Sequence, residues 1–187
     1  MRFVTLNARH RGMTYFLEKI TGSLLCLPSQ YKAPLSEISC SKVEEALRIC
    51  HNPYLIKFQS AENTINQGSH SIDAISLKIA RQLVKLSSFN FWLSCRYASF
   101  GRPMFSDAAQ AIRAFHCHTA TQDRNVLCLP RALFAARMSQ KFTDKGVVII
   151  GVFLPSRSLH AWVIEDGIQP DSTDHRWIHF QPVAALY

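Results

Sequence analysis

An unbroken apolar run near the C-terminus constrains the fold more than any other feature. Its residues are Gly146-Val147-Val148-Ile149-Ile150-Gly151-Val152. A short run that lacks polar side chains and is rich in β-branched residues predicts a buried strand. A second strand is predicted over residues 158–165, followed by a turn at Asp166-Gly167 and a third strand near residues 176–183. The last third of the chain is therefore expected to contain a sheet.

Helical patterns precede this sheet. Residues 125–138 are interpreted as a loop that leads into a helix. Ser106 is predicted to cap a helix that continues to Phe115. Residues 72–98 carry apolar side chains at helical spacing, which predicts one or two buried helices.

The N-terminal part has a different pattern. Residues 2–6 and 13–18 are typical of short strands, and Thr21-Gly22 separates two apolar runs in the manner of a hairpin turn. Ser41, with Glu44 three residues later, predicts the capped start of a helix that ends near residue 50.

A polar stretch over residues 59–71 is the best candidate for a linker. The order of strands, helices and sheet predicts an α+β fold in two parts, residues 1–70 and residues 71–187. The chain of 187 residues, 48% of them hydrophobic, is long enough for a real core.

The N-terminus lacks an apolar stretch with a small-residue cleavage site, and no run of 18 apolar residues exists in the sequence. A cytoplasmic protein without a membrane partner is therefore expected, and its cysteines should be thiols. The cysteines contain no C-x-x-C pair. They are Cys26, Cys40, Cys50, Cys95, Cys117 and Cys128.

A formal net charge of +8 suits an acidic partner, either an acidic peptide or a nucleic acid. Lys and Arg are scattered along the chain, which is equally typical of a generally basic surface. In the predicted helix over residues 41–50, two basic residues are balanced by two glutamates. This balance argues against a helix that binds phosphates, so a nucleic-acid partner is not expected.

The chemistry of a thiol protease requires a thiolate, an imidazole and a group that orients the imidazole. Cys128 opens the predicted helix, where the helix dipole lowers the pKa of a thiol. His160 lies on the second predicted strand, and Asp171 and Asp174 follow the turn after it. The order along the chain, Cys then His then Asp, is that of a transglutaminase-like unit.

Other residues offer alternatives. Cys117 is the rival nucleophile, but it is predicted at a helix C-terminus, where the dipole opposes ionisation. The triplet His116-Cys117-His118 has no second ligand pair at zinc spacing, so no metal site is expected. His175 and His179 are possible substitutes for His160. Arg131 is assigned either to the surface or to substrate contact, and Trp162 and Trp177 either to the core or to the cleft wall.

Three blocks together resemble the lasso-peptide B protein family. They are Cys128-Leu129-Pro130-Arg131-Ala132-Leu133, Val148-Ile149-Ile150-Gly151-Val152, and His160-Ala161-Trp162-Val163 with Asp166-Gly167. The resemblance covers about 60 C-terminal residues and implies a papain/transglutaminase-like cysteine protease that removes a leader peptide. It implies Cys128 as nucleophile and His160 as base. The family acid lies about a dozen residues after the histidine, which selects Asp171, with Asp174 in reserve.

The N-terminal third resembles the precursor-recognition element of peptide-modifying enzymes, a small winged-helix-like β3α3 domain. In such domains the leader adds as an extra strand to a sheet edge. The helix beside that edge would be the one near residues 41–50. The predicted peptide-binding residues are Gly22, Ser23, Leu24, Leu25, Cys26 and Leu27.

The resemblance also implies the partners: the leader region of a precursor peptide and an ATP-dependent lasso cyclase. Hydrolysis itself would need no cofactor, and any ATP would serve the cyclase. Because the same residues can pass an acyl group to an amine instead of water, an acyl or amine transferase is the first alternative function. A non-catalytic winged-helix protein that binds nucleic acid is the less favoured alternative.

Overall fold

The protein has an α+β fold. The computed structural model describes residues 1–31, 40–52, 57–58, 74–88, 90–119, 127–171 and 174–187. Within these ranges, helices are too short or too polar to cross a membrane. The predicted linker at residues 59–71 lies outside the described residues.

A six-stranded mixed sheet forms the centre of the fold, in the strand order β1-β9-β6-β7-β8-β5. Its strands are β1 (Phe3–Thr5), β5 (Lys57–Phe58), β6 (Gly146–Phe153), β7 (Ser158–Glu165), β8 (Ile168–Gln169) and β9 (Gln181–Leu186). The apolar run is β6, which is buried along nearly its whole length and pairs antiparallel with β7 and β9. The first two strand predictions are therefore confirmed. The third strand starts later than predicted, because residues Arg176–His179 form a 3-10 turn first.

Alternate residues of β6 face two different layers, as the period of a strand requires. Val148 and Ile150 pack with Phe134 in the larger core cluster, which contains the helices after residue 74. Val147 and Ile149 pack in a second cluster on the other face. The sheet thus has helices on both faces, and this explains why β6 carries no polar side chain.

The helices are α1 (Ser41–His51), α2 (Ala74–Ser87), α3 (Phe91–Ala98), α4 (Ala108–His118), α5 (Cys128–Met138) and α6 (Phe142–Lys145). The pattern over residues 72–98 corresponds to two helices. Asn90 separates them, because its side chain accepts from the backbone N–H of Leu93 and caps α3. Asp107 caps α4 through the N–H of Gln110, so the choice of Ser106 as cap is wrong.

The N-terminal part contains a separate three-stranded antiparallel sheet, β2 (Ala8–His10), β3 (Met13–Leu17) and β4 (Leu24–Pro28). The predicted hairpin is confirmed, and Gly22 supplies a positive φ of 70° in its turn. The predicted capping box of α1 is wrong, because Cys40 occupies the cap without a side-chain bond and Ser41 is the first helical residue.

Elements before residue 52 pack directly on the C-terminal strands. β1 pairs antiparallel with β9, through Phe3 and Leu186 among others. Val43 and Ile49 of α1 share a core cluster with Trp162 of β7. The first 52 residues and the C-terminal sheet therefore depend on each other for burial, and the division at residue 70 stays a prediction.

Candidate active site

Helix α5 presents Cys128 at its first position, immediately after the cap residue Leu127. The prediction that this cysteine opens a helix is confirmed. Pro130 lies in the same first turn, where a missing N–H costs no intrahelical bond. The rest of α5 is almost entirely buried, so the helix start is held rigidly against the sheet. The Cys128 side chain itself is only partly buried and remains accessible.

His160 lies on β7 close to Cys128, and each of the two side chains shifts the pKa of the other. Its ring is 3% exposed and is held between aromatic neighbours. The centroid of the Trp162 ring lies 6.0 Å away and that of Phe180 lies 5.1 Å away. Trp162 is fully packed, in agreement with its assignment to the core.

The carboxylate beside the imidazole belongs to Asp174. His160 Nε2 and Asp174 Oδ2 are 2.7 Å apart, which leaves Nδ1 as the ring nitrogen for the thiol. The choice of Asp171 as the orienting acid is therefore corrected.

Strand register explains the error. The turn at Asp166-Gly167 pairs Glu165 with Ile168, so a continued ladder would place Asp171 opposite Trp162. Instead, β8 ends at Gln169. The next residue is a proline, which cannot donate to a ladder. The chain then returns to His160 through residue 174.

Arg131 was missed as a member of this site. It is 5% exposed and is neither a surface residue nor part of the cleft lining. Its Nη2 donates to Asp174 Oδ2 at 2.6 Å, and its Nη1 forms an ion pair with Asp171 Oδ2 at 2.8 Å. The signal was present in the sequence, because residues three apart in a helix lie on the same face, and Arg131 is three residues after Cys128.

The charges around the thiol favour the reactive form. Burial raises the pKa of Cys128, but His160, the Ala161 backbone and the Arg131 charge outweigh burial and hold it below its ordinary value. Burial lowers the pKa of His160, but its bonds to Asp174 and Cys128 raise it overall. Burial raises the pKa of Asp174, yet His160 and Arg131 keep it lowered. The three groups thus favour a thiolate, an imidazolium and a carboxylate.

A cleft of about 300 Å³ opens beside Cys128 and His160. Its wall includes the hairpin turn at Thr21-Gly22 and the ring of Phe91. A Cβ added to Gly22 would lie 2.6 Å from the Phe91 ring, so only glycine lets the turn approach this closely. The remaining lining is Leu17, Ser87, Ser88, Asn90, Leu129, Ile150, Leu159 and Ala161.

Of the predicted peptide-binding residues, Gly22 lines this cleft. Gly22 and Ser23 lie in the turn, and Leu24 to Leu27 lie in β4, which among the described residues pairs with β3 alone. The predicted neighbouring helix, α1, packs instead on the central sheet.

Hydrogen bonds just beyond the two ends of β4 determine which of its backbone N–H groups face β3. Glu18 N–H donates to the Ser23 carbonyl, and Ser29 N–H donates to the Gly12 carbonyl. Bonded pairs alternate in an antiparallel ladder, so odd-numbered residues of β4 bond β3. The N–H groups of Leu24 and Cys26 therefore face the open edge.

The alternatives are separated from the cleft. Cys117 is exposed in the last turn of α4. His175 and His179 are exposed residues beside or within the 3-10 turn. Across the part of the chain that the structure describes, no group of three His, Cys, Asp or Glu side chains is placed to hold a metal ion.

Comparison with protein-family models, with curated proteins and with solved structures finds no match to this chain. The function must therefore be argued from the site itself.

Proposed function

We propose that this protein is a leader peptidase, a cysteine protease that cleaves the leader from a lasso-peptide precursor in the cytoplasm. One observation carries the proposal. The turn of a sheet-edge hairpin and the Cys128–His160 pair line the same cleft. A peptide bound along that edge would be delivered directly to the thiol.

The site suits acyl-enzyme chemistry. The Cys128 thiolate would attack the scissile carbonyl, and the imidazolium of His160 would protonate the leaving amine as the C–N bond breaks. Water, deprotonated by His160, would then release the acid and regenerate the thiol. The first backbone N–H groups of α5 have no intrahelical acceptor, so they are suitable donors to the oxyanion.

The open edge of β4 suits main-chain recognition. The N–H groups of Leu24 and Cys26 point away from β3, so an added strand can bond them without disturbing the hairpin. Strand addition gives affinity through the backbone and leaves sequence selection to side-chain pockets. The resemblance adds an ATP-dependent cyclase as the partner that receives the cleaved core peptide.

A direct test uses the full chain and a mixture of synthetic peptides in water enriched in ¹⁸O. Mass spectrometry would identify the cleaved bonds and the oxygen in each new carboxylate. Hydrolysis predicts one ¹⁸O atom in every new carboxylate, and the Cys128→Ala variant should give no products. If products appear only when an amine is added, with the amine joined to the acyl fragment, the transferase alternative replaces the protease. Equal products from wild type and Cys128→Ala would exclude both.

A further inference from the structure

We infer that Arg131 is a positioning residue that, anchored by Asp171, holds Asp174 in place against His160. The inference concerns the same site as the proposed protease function and rests on it for its catalytic meaning. The contacts that carry it are independent of any substrate.

One oxygen atom connects the network. Asp174 Oδ2 accepts from His160 Nε2 at 2.7 Å and from Arg131 Nη2 at 2.6 Å. The other oxygen, Oδ1, accepts from the Arg176 backbone N–H at 3.3 Å. The Asp174 side chain is 2% exposed. Protein donors therefore bind both oxygens of a carboxylate that water barely reaches, and Arg131 supplies the shortest of the three contacts.

Because of Asp171, Arg131 has to compensate two negative charges and not one. Asp171 and Asp174 are both buried and both face the same guanidinium. Two buried carboxylates that share a site repel each other, and one of them normally takes up a proton. The positive charge of the guanidinium between them offsets this repulsion. Without it, Asp174 is expected either to turn away from His160 or to lose its charge.

Two other basic side chains, His116 and Arg176, face the pair. His116 of α4 has its Nε2 3.6 Å from Asp171 Oδ2, and Arg176 has its Nε 3.7 Å from Asp174 Oδ1. Both lie farther away than Arg131 and are more exposed, at 23% and 48% of their side chains. Water screens Arg176, and His116 Nε2 is buried but faces only Asp171. Arg131 is thus the side chain whose two nitrogens contact both carboxylates.

The shape of the guanidinium matters as well as its charge. Its two terminal nitrogens reach different carboxylates, one each. A lysine ammonium is a compact point charge on a flexible stem. Arg131→Lys should therefore retain the charge and lose one of the two anchors.

The test measures the ionisation of Cys128 and needs no peptide substrate. Wild type, Arg131→Met, Arg131→Lys and the double variant Arg131→Met/Asp171→Asn are alkylated with iodoacetamide across a pH series. Mass spectrometry of the Cys128 peptide separates its labelling from that of the exposed Cys26 and Cys117. The thermal midpoint of each variant is recorded in parallel. Arg113→Met is the matched control, since it removes an exposed cation of α4 that contacts neither carboxylate.

Arg131→Met should lower the alkylation rate of Cys128 at pH 7 about tenfold, since loss of the ion network reduces the thiolate fraction. Arg131→Lys should lie between Arg131→Met and wild type. The double variant should recover to within about threefold of wild type, because it removes the repulsion together with the charge. Arg113→Met should behave as wild type.

Two results would overturn the inference. One is a folded Arg131→Met with a wild-type alkylation profile. The other is a folded double variant that reacts no faster than Arg131→Met. Should Arg131→Met fail to fold, the double variant and Arg131→Lys decide the question. If the alkylation pattern follows expectation and no peptide is cleaved, the positioning role stands and the protease proposal fails.

Discussion

Replacement of Asp174 with asparagine tests the candidate triad most sharply. The amide keeps the size of the carboxylate and can place its one oxygen where Oδ2 now accepts from His160 and Arg131. Its NH₂ group then faces the backbone N–H of Arg176, which also donates. The substitution therefore removes the charge that stabilises the imidazolium and leaves the geometry nearly intact. We expect a loss of peptide cleavage of about a thousandfold in kcat/KM.

The cost in stability follows from the same contacts. Arg131 keeps its ion pair with Asp171, so the loss consists of the charge assistance in the bonds to Oδ2 and of the long bond from the Arg176 N–H. That loss is about 2 kcal/mol, which for a chain of this size lowers the thermal midpoint by about 6 °C. The fold should thus survive, and the loss of activity can be read at a temperature where both proteins are native.

Asp171→Asn is the matched comparison. Asp171 contacts Arg131, and it is Asp174 that contacts His160. The Asp171→Asn substitution should therefore lower kcat/KM by less than about tenfold, as for a partner outside the reacting pair. Both variants are assayed on the same peptide, with circular dichroism to verify folding. A larger loss in Asp171→Asn would return the orienting role to that residue. Mild and equal losses would mean that neither acid belongs to a triad.

Other expectations concern the nucleophile, the edge strand, the turn and acid stability. Cys128→Ala should reduce cleavage at least about a thousandfold with an unchanged thermal midpoint. Cys26→Pro should weaken leader-peptide binding measured by fluorescence anisotropy, whereas Cys26→Ala should not, because only proline removes an N–H from the open edge of β4. Gly22→Leu should unfold at a lower temperature and cleave slowly, since the new side chain meets the Phe91 ring. The lowered pKa of Asp174 gives stability that is complete above its ordinary value of 3.8 and is lost as the pH falls through the lowered value. The difference in unfolding free energy between wild type and Asp174→Asn, measured in urea, should therefore shrink on acidification.

Local patterns predicted the elements that carry the site. The apolar run of β6 and the helix that opens at Cys128 are encoded within a few residues, and both are found as expected. β2 was missed because Ala8-Arg9-His10 contains no β-branched or large aromatic residue, unlike the equally short β1. The caps of α1 and α4 were each misplaced by one residue. Neighbouring polar residues compete for such positions, and tertiary packing decides between them.

Identifying the acid that orients His160 requires knowledge of long-range contacts, which local sequence patterns do not contain. Pairing of Glu165 with Ile168 would place residue 171 opposite Trp162 in a continued ladder, but β8 ends at Gln169, so strand register does not position Asp171. Strand register also does not predict the position of Asp174, which follows the end of β8. That position is fixed by Arg131, which lies 43 residues earlier in the chain. A long-range ion pair leaves no periodic signal in a single sequence.

Helix α5 links nucleophile and acid through its first turn. Cys128 and Arg131 lie on one face, so the turn that exposes the thiol also places a buried cation against Asp174. A shift of this turn would therefore move the Cys128 thiol and the Arg131 guanidinium together. His160 would stay on β7 between its aromatic neighbours. The packing of α5 on β7 therefore contributes to both distances, from thiol to imidazole and from imidazole to carboxylate. This coupling explains why a strongly buried helix, and not a mobile loop, carries the candidate nucleophile.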